Sequence, residues 1–212
     1  MVHLSRLAED LIVYSSDEFA IIELPDALAT GSSRMPHKKN PDLLELARAH
    51  AGRTIGDLSG LLAVLKGLPL AYNKDLQMDK EPVFRLADTL DTVLPALAAF
   101  VATMRFDAVR ARRQAGAESL LITDLADAMA ERGVPFRVAH EQVGRRMLTS
   151  VLAGKSLKEA GPGGGITSAD LRAMDLDRAL GRRRAFGGTA PAQVRRQAAA
   201  ALRRIARMED RT

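Results

Sequence analysis

The chain contains no cysteine and no tryptophan, and aromatic residues make up only 4% of it. Without cysteine, it can form no disulfide, no thiolate nucleophile and no zinc–thiolate site. The absence also fits a reducing compartment, and we predict a cytoplasmic location. The four histidines form no cluster with metal-ligand spacing, so we predict neither a metal nor a cofactor.

Long apolar runs are also missing. No continuous apolar run approaches the length that spans a bilayer, so we expect no membrane association. The net charge is +5, and arginines are concentrated between residues 182 and 207. A basic tail can bind nucleic acid, but no aromatic residues interleave with these arginines to stack on bases. We therefore interpret them as a solvated helix face and predict no nucleic-acid partner.

The remaining composition, rich in alanine and leucine, predicts an all-α protein. Apolar residues repeat at intervals of three and four residues, which indicates helices over 2–23, about 42–66 and about 79–105. Shorter helices follow at about 119–132, 136–153, 168–174 and 190–208, the last with Thr189 as its N-cap. No strand is predicted. The change in helix length divides the chain into a central helical-bundle segment, 1–106, and a small C-terminal helical domain, 107–212.

The long helices carry more apolar surface than three helices would bury. On the second, Ala51, Ile55, Leu58, Leu62 and Leu65 form a bundle seam. We therefore hypothesise that the long helices pack into a larger bundle with further helices or other subunits.

A polar loop, Gly31–Asp42 with the sequence GSSRMPHKKNPD, precedes the second helix. Its glycine and prolines exclude a regular helix or strand. Hydroxyl, ammonium and amide groups lie beside a helix N-terminus, which favours anions. On composition alone, either a carboxylate or phosphate site or a solvated basic loop would explain it.

The whole string resembles the signature loop of the fumarase/aspartase superfamily, G-S-S-x-M-P-x-K-x-N-P. The segment Lys66–Gln77, with sequence KGLPLAYNKDLQ, and the following Asp79–Glu81 resemble the argininosuccinate lyase family in particular. The resemblance implies long central bundle helices, a homotetramer and a role in arginine biosynthesis. The implied reaction is the elimination of argininosuccinate to arginine and fumarate.

The resemblance also implies roles for individual residues. Ser32 matches the catalytic base, and Lys38 matches the lysine that stabilises negative charge in the intermediate. Glu45 matches an acid that pairs with the family's catalytic histidine. Substrate-binding positions are matched by Asn40, Tyr72, Gln77 and Lys80. Lys39 is expected to be an exposed charge, and Met78 departs from the glutamate usual in the family.

The family's general acid is a histidine in a Thr-His segment, and these 212 residues contain no Thr-His pair. We therefore expect the chain to be the C-terminal portion of such a lyase, active only with an N-terminal half. Two alternatives remain open. One is a non-catalytic helical assembly protein related to the lyase; the other is a sister fumarate-releasing lyase, such as adenylosuccinate lyase.

Overall fold

The computed structural model of the chain describes residues 1–31 and 38–210. The all-α prediction is confirmed, since helices make up most of the described structure. The chain divides into two units, Met1–Ala111 and Arg112–Thr212. The division predicted from sequence between residues 106 and 107 stays a prediction.

Within the described residues, the first unit is built mainly from three α-helices and two very short strands. They are α1 (Val2–Ser15), β1 (Ile22–Glu23), α2 (Asp42–Leu65), α3 (Lys80–Thr103) and β2 (Arg105–Phe106). The two long helices agree with the predicted ranges to within two residues at each end. Two acids in the first turn of α2, Asp42 and Glu45, complement the positive end of its dipole.

The prediction of a first helix over 2–23 and of no strands is wrong. The helix ends at Ser15, whose hydroxyl donates a hydrogen bond to the Ile12 carbonyl at 2.9 Å. Serine side chains that bond to the backbone in this way compete with helix continuation. Ala20 then adopts a left-handed φ of 44°, and the chain turns into β1. This strand pairs antiparallel with β2, so that Ile22 lies opposite Phe106.

The core of the first unit lies at the end where α2 begins and α3 finishes. Three elements supply its most deeply buried side chains: Ala8 on α1, Leu44 on α2 and Phe100 on α3. The predicted apolar repeat of α3 contributes Val93 and Leu97 to the same cluster. The hydrophobic effect therefore fixes the start of α2, immediately after the polar loop.

The opposite ends of α2 and α3 remain apolar and exposed. Of the predicted seam residues, Ala51 is buried, whereas Ile55, Leu58, Leu62 and Leu65 are each 45–58% exposed. Exposed apolar surface of this extent indicates an interaction site on a folded protein.

The helical stretch Lys74–Thr103 is long and apolar enough to cross a membrane by length and composition, the one such stretch within residues 1–31 and 38–210. This corrects the prediction that no segment approaches that length. Core helices of soluble proteins meet the same criterion. Here Val93, Leu97 and Phe100 pack in the core, and Arg85 pairs with Asp57 of α2 at 2.7 Å. These contacts favour a packed helix.

The second unit contains shorter helices around its own core. They are α5 (Glu118–Glu131), α6 (Phe136–Leu152), α7 (Leu157–Ala160), α8 (Ser168–Leu171), α9 (Leu176–Arg182) and α10 (Pro191–Glu209), with α4 (Ala108–Ala115) at the division between the units. The sequence did not predict α4, α7 or α9. Thr189 does not cap the last helix, because Ala190 holds that position and Pro191 begins the helix. Proline is suited to the first helical position because it has no N–H to leave unpaired.

A buried carboxylate joins two elements of the second unit. Asp170 is only 3% exposed. It accepts hydrogen bonds from the Arg132 Nη2 at 2.9 Å and from the Thr167 amide and hydroxyl at 2.8 Å each. Burial raises the pKa of Asp170, but these hydrogen bonds outweigh it and the net pKa is lowered.

We expect Asp170→Asn to destabilise the second unit by about 1–2 kcal/mol, because the buried carboxylate loses its charge-assisted hydrogen bonds from Arg132 and Thr167. Urea unfolding followed by circular dichroism measures the change. The matched control is Asp177→Asn, since Asp177 forms an exposed pair with Arg112 and its loss should change little. Because folding lowers the pKa of Asp170, its carboxylate stabilises the second unit above pH 3.8, the ordinary pKa of the group. This stabilisation is lost as the pH falls below that value. Equal effects of the two substitutions would contradict the conclusion that the buried carboxylate of Asp170 stabilises the second unit.

Candidate active site

Thr30 and Asn40 lie on the two sides of the polar loop and form its stem, where hydrogen bonds join them. The Asn40 amide donates to the Thr30 carbonyl at 2.8 Å, and the Thr30 amide donates to the Asn40 carbonyl at 3.3 Å. The Thr30 hydroxyl donates to the carboxylate of Asp42, the first residue of α2. The stem is therefore attached directly to the N-terminus of that helix. Ser32, the predicted base, lies outside the described residues, and its role stays a prediction.

Lys38 and Glu45 both lie at this end of α2 with exposed side chains, while Asn40 is half-buried. Lys38 lines an open cavity of about 830 Å³. Two further cations, Lys39 and Arg105, line the same cavity. An ammonium group at the rim of an open cavity beside a helix N-terminus can bind and stabilise an anion.

Lys39 is exposed as predicted, but it is not a free charge. Its Nζ lies 2.5 Å from the Asp26 carboxylate and 3.2 Å from the Glu23 carboxylate. The same Nζ donates to the Leu24 carbonyl at 3.4 Å. The hydrogen bond from Lys39 lowers the pKa of Asp26, and the bonds to Asp26 and then Glu23 raise the pKa of Lys39. Lys39 thus ties the loop to the chain before it.

The other predicted substrate-binding residues lie around a 3₁₀ helix, Lys74–Asp79, between α2 and α3. The Gln77 Nε2 donates to the Tyr72 hydroxyl at 2.6 Å. Lys80 begins α3 and pairs with the neighbouring Asp79 at 2.7 Å. All three predicted side chains are exposed, so their polar groups are accessible to a substrate.

The structure does not bring the two groups of predicted residues together. Lys38, Asn40 and Glu45 lie at the N-terminal end of α2, whereas Tyr72, Gln77 and Lys80 follow its C-terminal end. A helix rises about 1.5 Å per residue, so the 24 residues of α2 separate the two groups by about 35 Å. A small substrate cannot contact both groups of one chain.

Three residues that contact the loop were not identified from sequence as part of the site. They are Glu23, Asp26 and Thr30. Glu23 and Asp26 lie more than ten residues before Lys39, so no local pattern pointed to them. Among the described residues, no group of three or more His, Cys, Asp or Glu side chains is placed to hold a metal ion.

Comparison with known proteins connects this arrangement to a family. A family profile described as lyase matches residues 1–56, and one described as argininosuccinate lyase C-terminal matches residues 119–180. The argininosuccinate lyases of Chloroflexus aurantiacus and Thermus thermophilus are each 49% identical to the chain. The chain matches the C-terminal portion of argininosuccinate lyases. The alignments cover 93% and 92% of the chain but 44% of each relative, so the chain spans less than half the length of these relatives.

Solved structures show the same architecture. EDDS lyase in complex with formate has a TM-score of 0.77 and is 30% identical, with 95% of this chain and 43% of that chain covered. An EDDS lyase variant with bound fumarate has a TM-score of 0.80 and is 28% identical, with 97% and 44% covered. The predicted fold class, long bundle helices followed by a smaller helical part, is confirmed as that of the fumarase/aspartase-type lyases.

Proposed function

We propose that the chain forms part of an argininosuccinate lyase, which eliminates fumarate from argininosuccinate and releases arginine. The observation that carries the proposal is the 49% identity to argininosuccinate lyases over 93% of the chain. The exposed polar groups at both ends of α2 support it. A soluble enzyme of arginine biosynthesis in the cytoplasm follows from this activity.

The proposed reaction begins when Ser32 removes a proton from the carbon next to a substrate carboxylate. The electron pair moves into that carboxylate and gives a dianionic intermediate. Lys38 stabilises the added charge, as expected for a cation placed where charge develops. The C–N bond then breaks, its electron pair leaves with the guanidine nitrogen of arginine, and that nitrogen takes up a proton from the general acid, the family's catalytic histidine. The remaining four-carbon acid is fumarate.

The other residues bind and orient the substrate. Asn40 and Gln77 supply amide hydrogen bonds, and Lys80 supplies a cation for a carboxylate. Tyr72 contributes its hydroxyl, which is already held by Gln77 at 2.6 Å. Glu45 pairs with the family's catalytic histidine, which these 212 residues do not supply.

We further propose that each active site combines groups from different copies of the chain in a homotetramer. The separation of about 35 Å along α2 supports this proposal, because a substrate of this size does not span it. The exposed seam Ile55, Leu58, Leu62 and Leu65 offers the apolar face through which copies associate.

We expect the 212-residue chain by itself to release no fumarate from argininosuccinate, because the acid partner of the reaction is missing from it. Activity should appear when the chain is refolded with the part of the Chloroflexus aurantiacus relative that it does not match. We call this mixture the complemented complex. Ultraviolet absorbance of fumarate measures the reaction.

Two comparisons sharpen the test. Adenylosuccinate offered to the complemented complex should give no fumarate; turnover of it instead of argininosuccinate would identify a sister lyase. A complex that assembles but turns over neither substrate would favour the non-catalytic assembly protein. Fumarate formed by the purified chain alone would contradict the requirement for a second part.

A further inference from the structure

Lys39 makes the most extensive set of polar contacts described at the loop stem. Its ammonium group contacts two carboxylates and one backbone carbonyl, from Asp26, Glu23 and Leu24. Glu23 belongs to β1, Asp26 begins the 3₁₀ turn Asp26–Leu28, and Leu24 lies between these two elements. Glu23 also pairs with Arg105 of β2 at 3.6 Å. The contacts of Lys39 therefore reach the strand pair that adjoins the core.

The residues on either side of Lys39 have different tasks. Asn40 holds the stem through its backbone pair with Thr30. Lys38 directs an exposed ammonium group to the cavity. Consecutive Cα atoms are about 3.8 Å apart, so fixing the backbone at Lys39 and Asn40 restricts where the backbone of Lys38 can lie.

Charge gives a second reason to pair Lys39 in this way. An unpaired ammonium group beside Lys38 would compete with it for a substrate anion and would repel its charge. The carboxylates of Asp26 and Glu23 offset the charge of Lys39 and hold it against the preceding segment. Of the three cations that line the cavity, Lys39 and Arg105 both pair with Glu23, and Lys38 is the one that the proposed function assigns to the substrate.

We infer that Lys39 is a positioning residue of the lyase reaction: its ionic clamp on Glu23 and Asp26 fixes the loop stem and so places Lys38. The inference rests on the proposed function for the role of Lys38. The clamp itself is a property of the chain and can be measured without activity.

The first test follows backbone amide hydrogen exchange in the chain. Lys39→Met should speed exchange of the Asn40 amide by about tenfold, since the local structure that protects it is weakened. Lys39→Arg keeps a cation and should restore most of the protection. The control Lys66→Met removes an exposed lysine at the far end of α2 and should leave this amide unchanged. Circular dichroism verifies that each variant is folded.

The second test measures steady-state kinetics in the complemented complex. Because Lys38 acts on charge that develops during reaction, its misplacement should lower kcat by about tenfold with little change in KM. Lys39→Arg should recover most of kcat, and Lys66→Met should not alter it. If Lys39 served only to stabilise the fold, Lys39→Met would lower the amount of assembled enzyme. The kcat of each assembled site would then stay the same in Lys39→Met and Lys39→Arg.

Failure of the inference about Lys39 can be distinguished from failure of the proposed function. If the wild-type complemented complex releases no fumarate, the proposed function fails, while hydrogen exchange still decides whether the clamp exists. Unchanged exchange in Lys39→Met would overturn the inference. Faster exchange combined with unchanged kcat would also overturn it, because the clamp would then not position a reacting group.

Discussion

Replacing Lys38 by methionine in the complemented complex is expected to lower kcat by about two to three orders of magnitude, the usual effect of removing a preorganised group that stabilises developing charge. Methionine has a similar length and keeps the apolar stem but has no charge. The dianionic intermediate would then lose the cation proposed to stabilise its added charge. Substrate binding should change less, because other groups, including Lys80, hold the carboxylates.

The measurement is the rate of fumarate formation at saturating argininosuccinate, normalised to assembled complex. Lys66→Met is the matched control, since it removes the same charge from the other end of α2 and should retain wild-type kcat. Lys38→Arg should recover only part of the rate, because the planar guanidinium does not reproduce a compact ammonium. A Lys38→Met complex with wild-type kcat would remove Lys38 from the chemistry.

The long helices could be predicted because the apolar repeat that indicates a helix lies entirely within that helix. The apolar repeat of α3 predicted its length, and Val93, Leu97 and Phe100 are indeed in the core. The end of α1 could not be predicted in this way. Ile22 and Glu23 continue an apolar-rich stretch, but they pair with Phe106 and Arg105, more than eighty residues later. Such non-local pairing leaves no local signal.

The candidate site was predicted as a set of residues, and its arrangement was predicted only in part. The resemblance identified Lys38 and Lys80, and the helix predicted over about 42–66 separates them, as α2 does in the structure. Lys39 was expected to be an exposed charge because its acidic partners, Glu23 and Asp26, are distant in sequence. The role of a charged side chain depends on which carboxylates the fold brings to it, and this could not be deduced from its immediate neighbours.

The separation along α2 leads to the second large expected effect. Two complemented complexes, one carrying Lys38→Met and the other Lys80→Met, should each be nearly inactive. When both chains are unfolded together and refolded with the N-terminal part, activity should return. In the proposed assembly each site takes its loop from one copy and its Lys80 segment from another, so random mixing should make about a quarter of the sites free of both substitutions.

The matched control is a mixture of Lys38→Met with Asn40→Ala. Both substitutions lie in the same loop, and every site takes that whole loop from a single copy. No mixed assembly then contains an intact loop, so activity should stay at the level of the separate variants. Restoration by the first mixture and not by the second would require a site shared between copies. If neither mixture recovers activity while both assemble, both groups must serve one site within a single copy, and α2 could not remain a continuous helix of about 35 Å in the active enzyme.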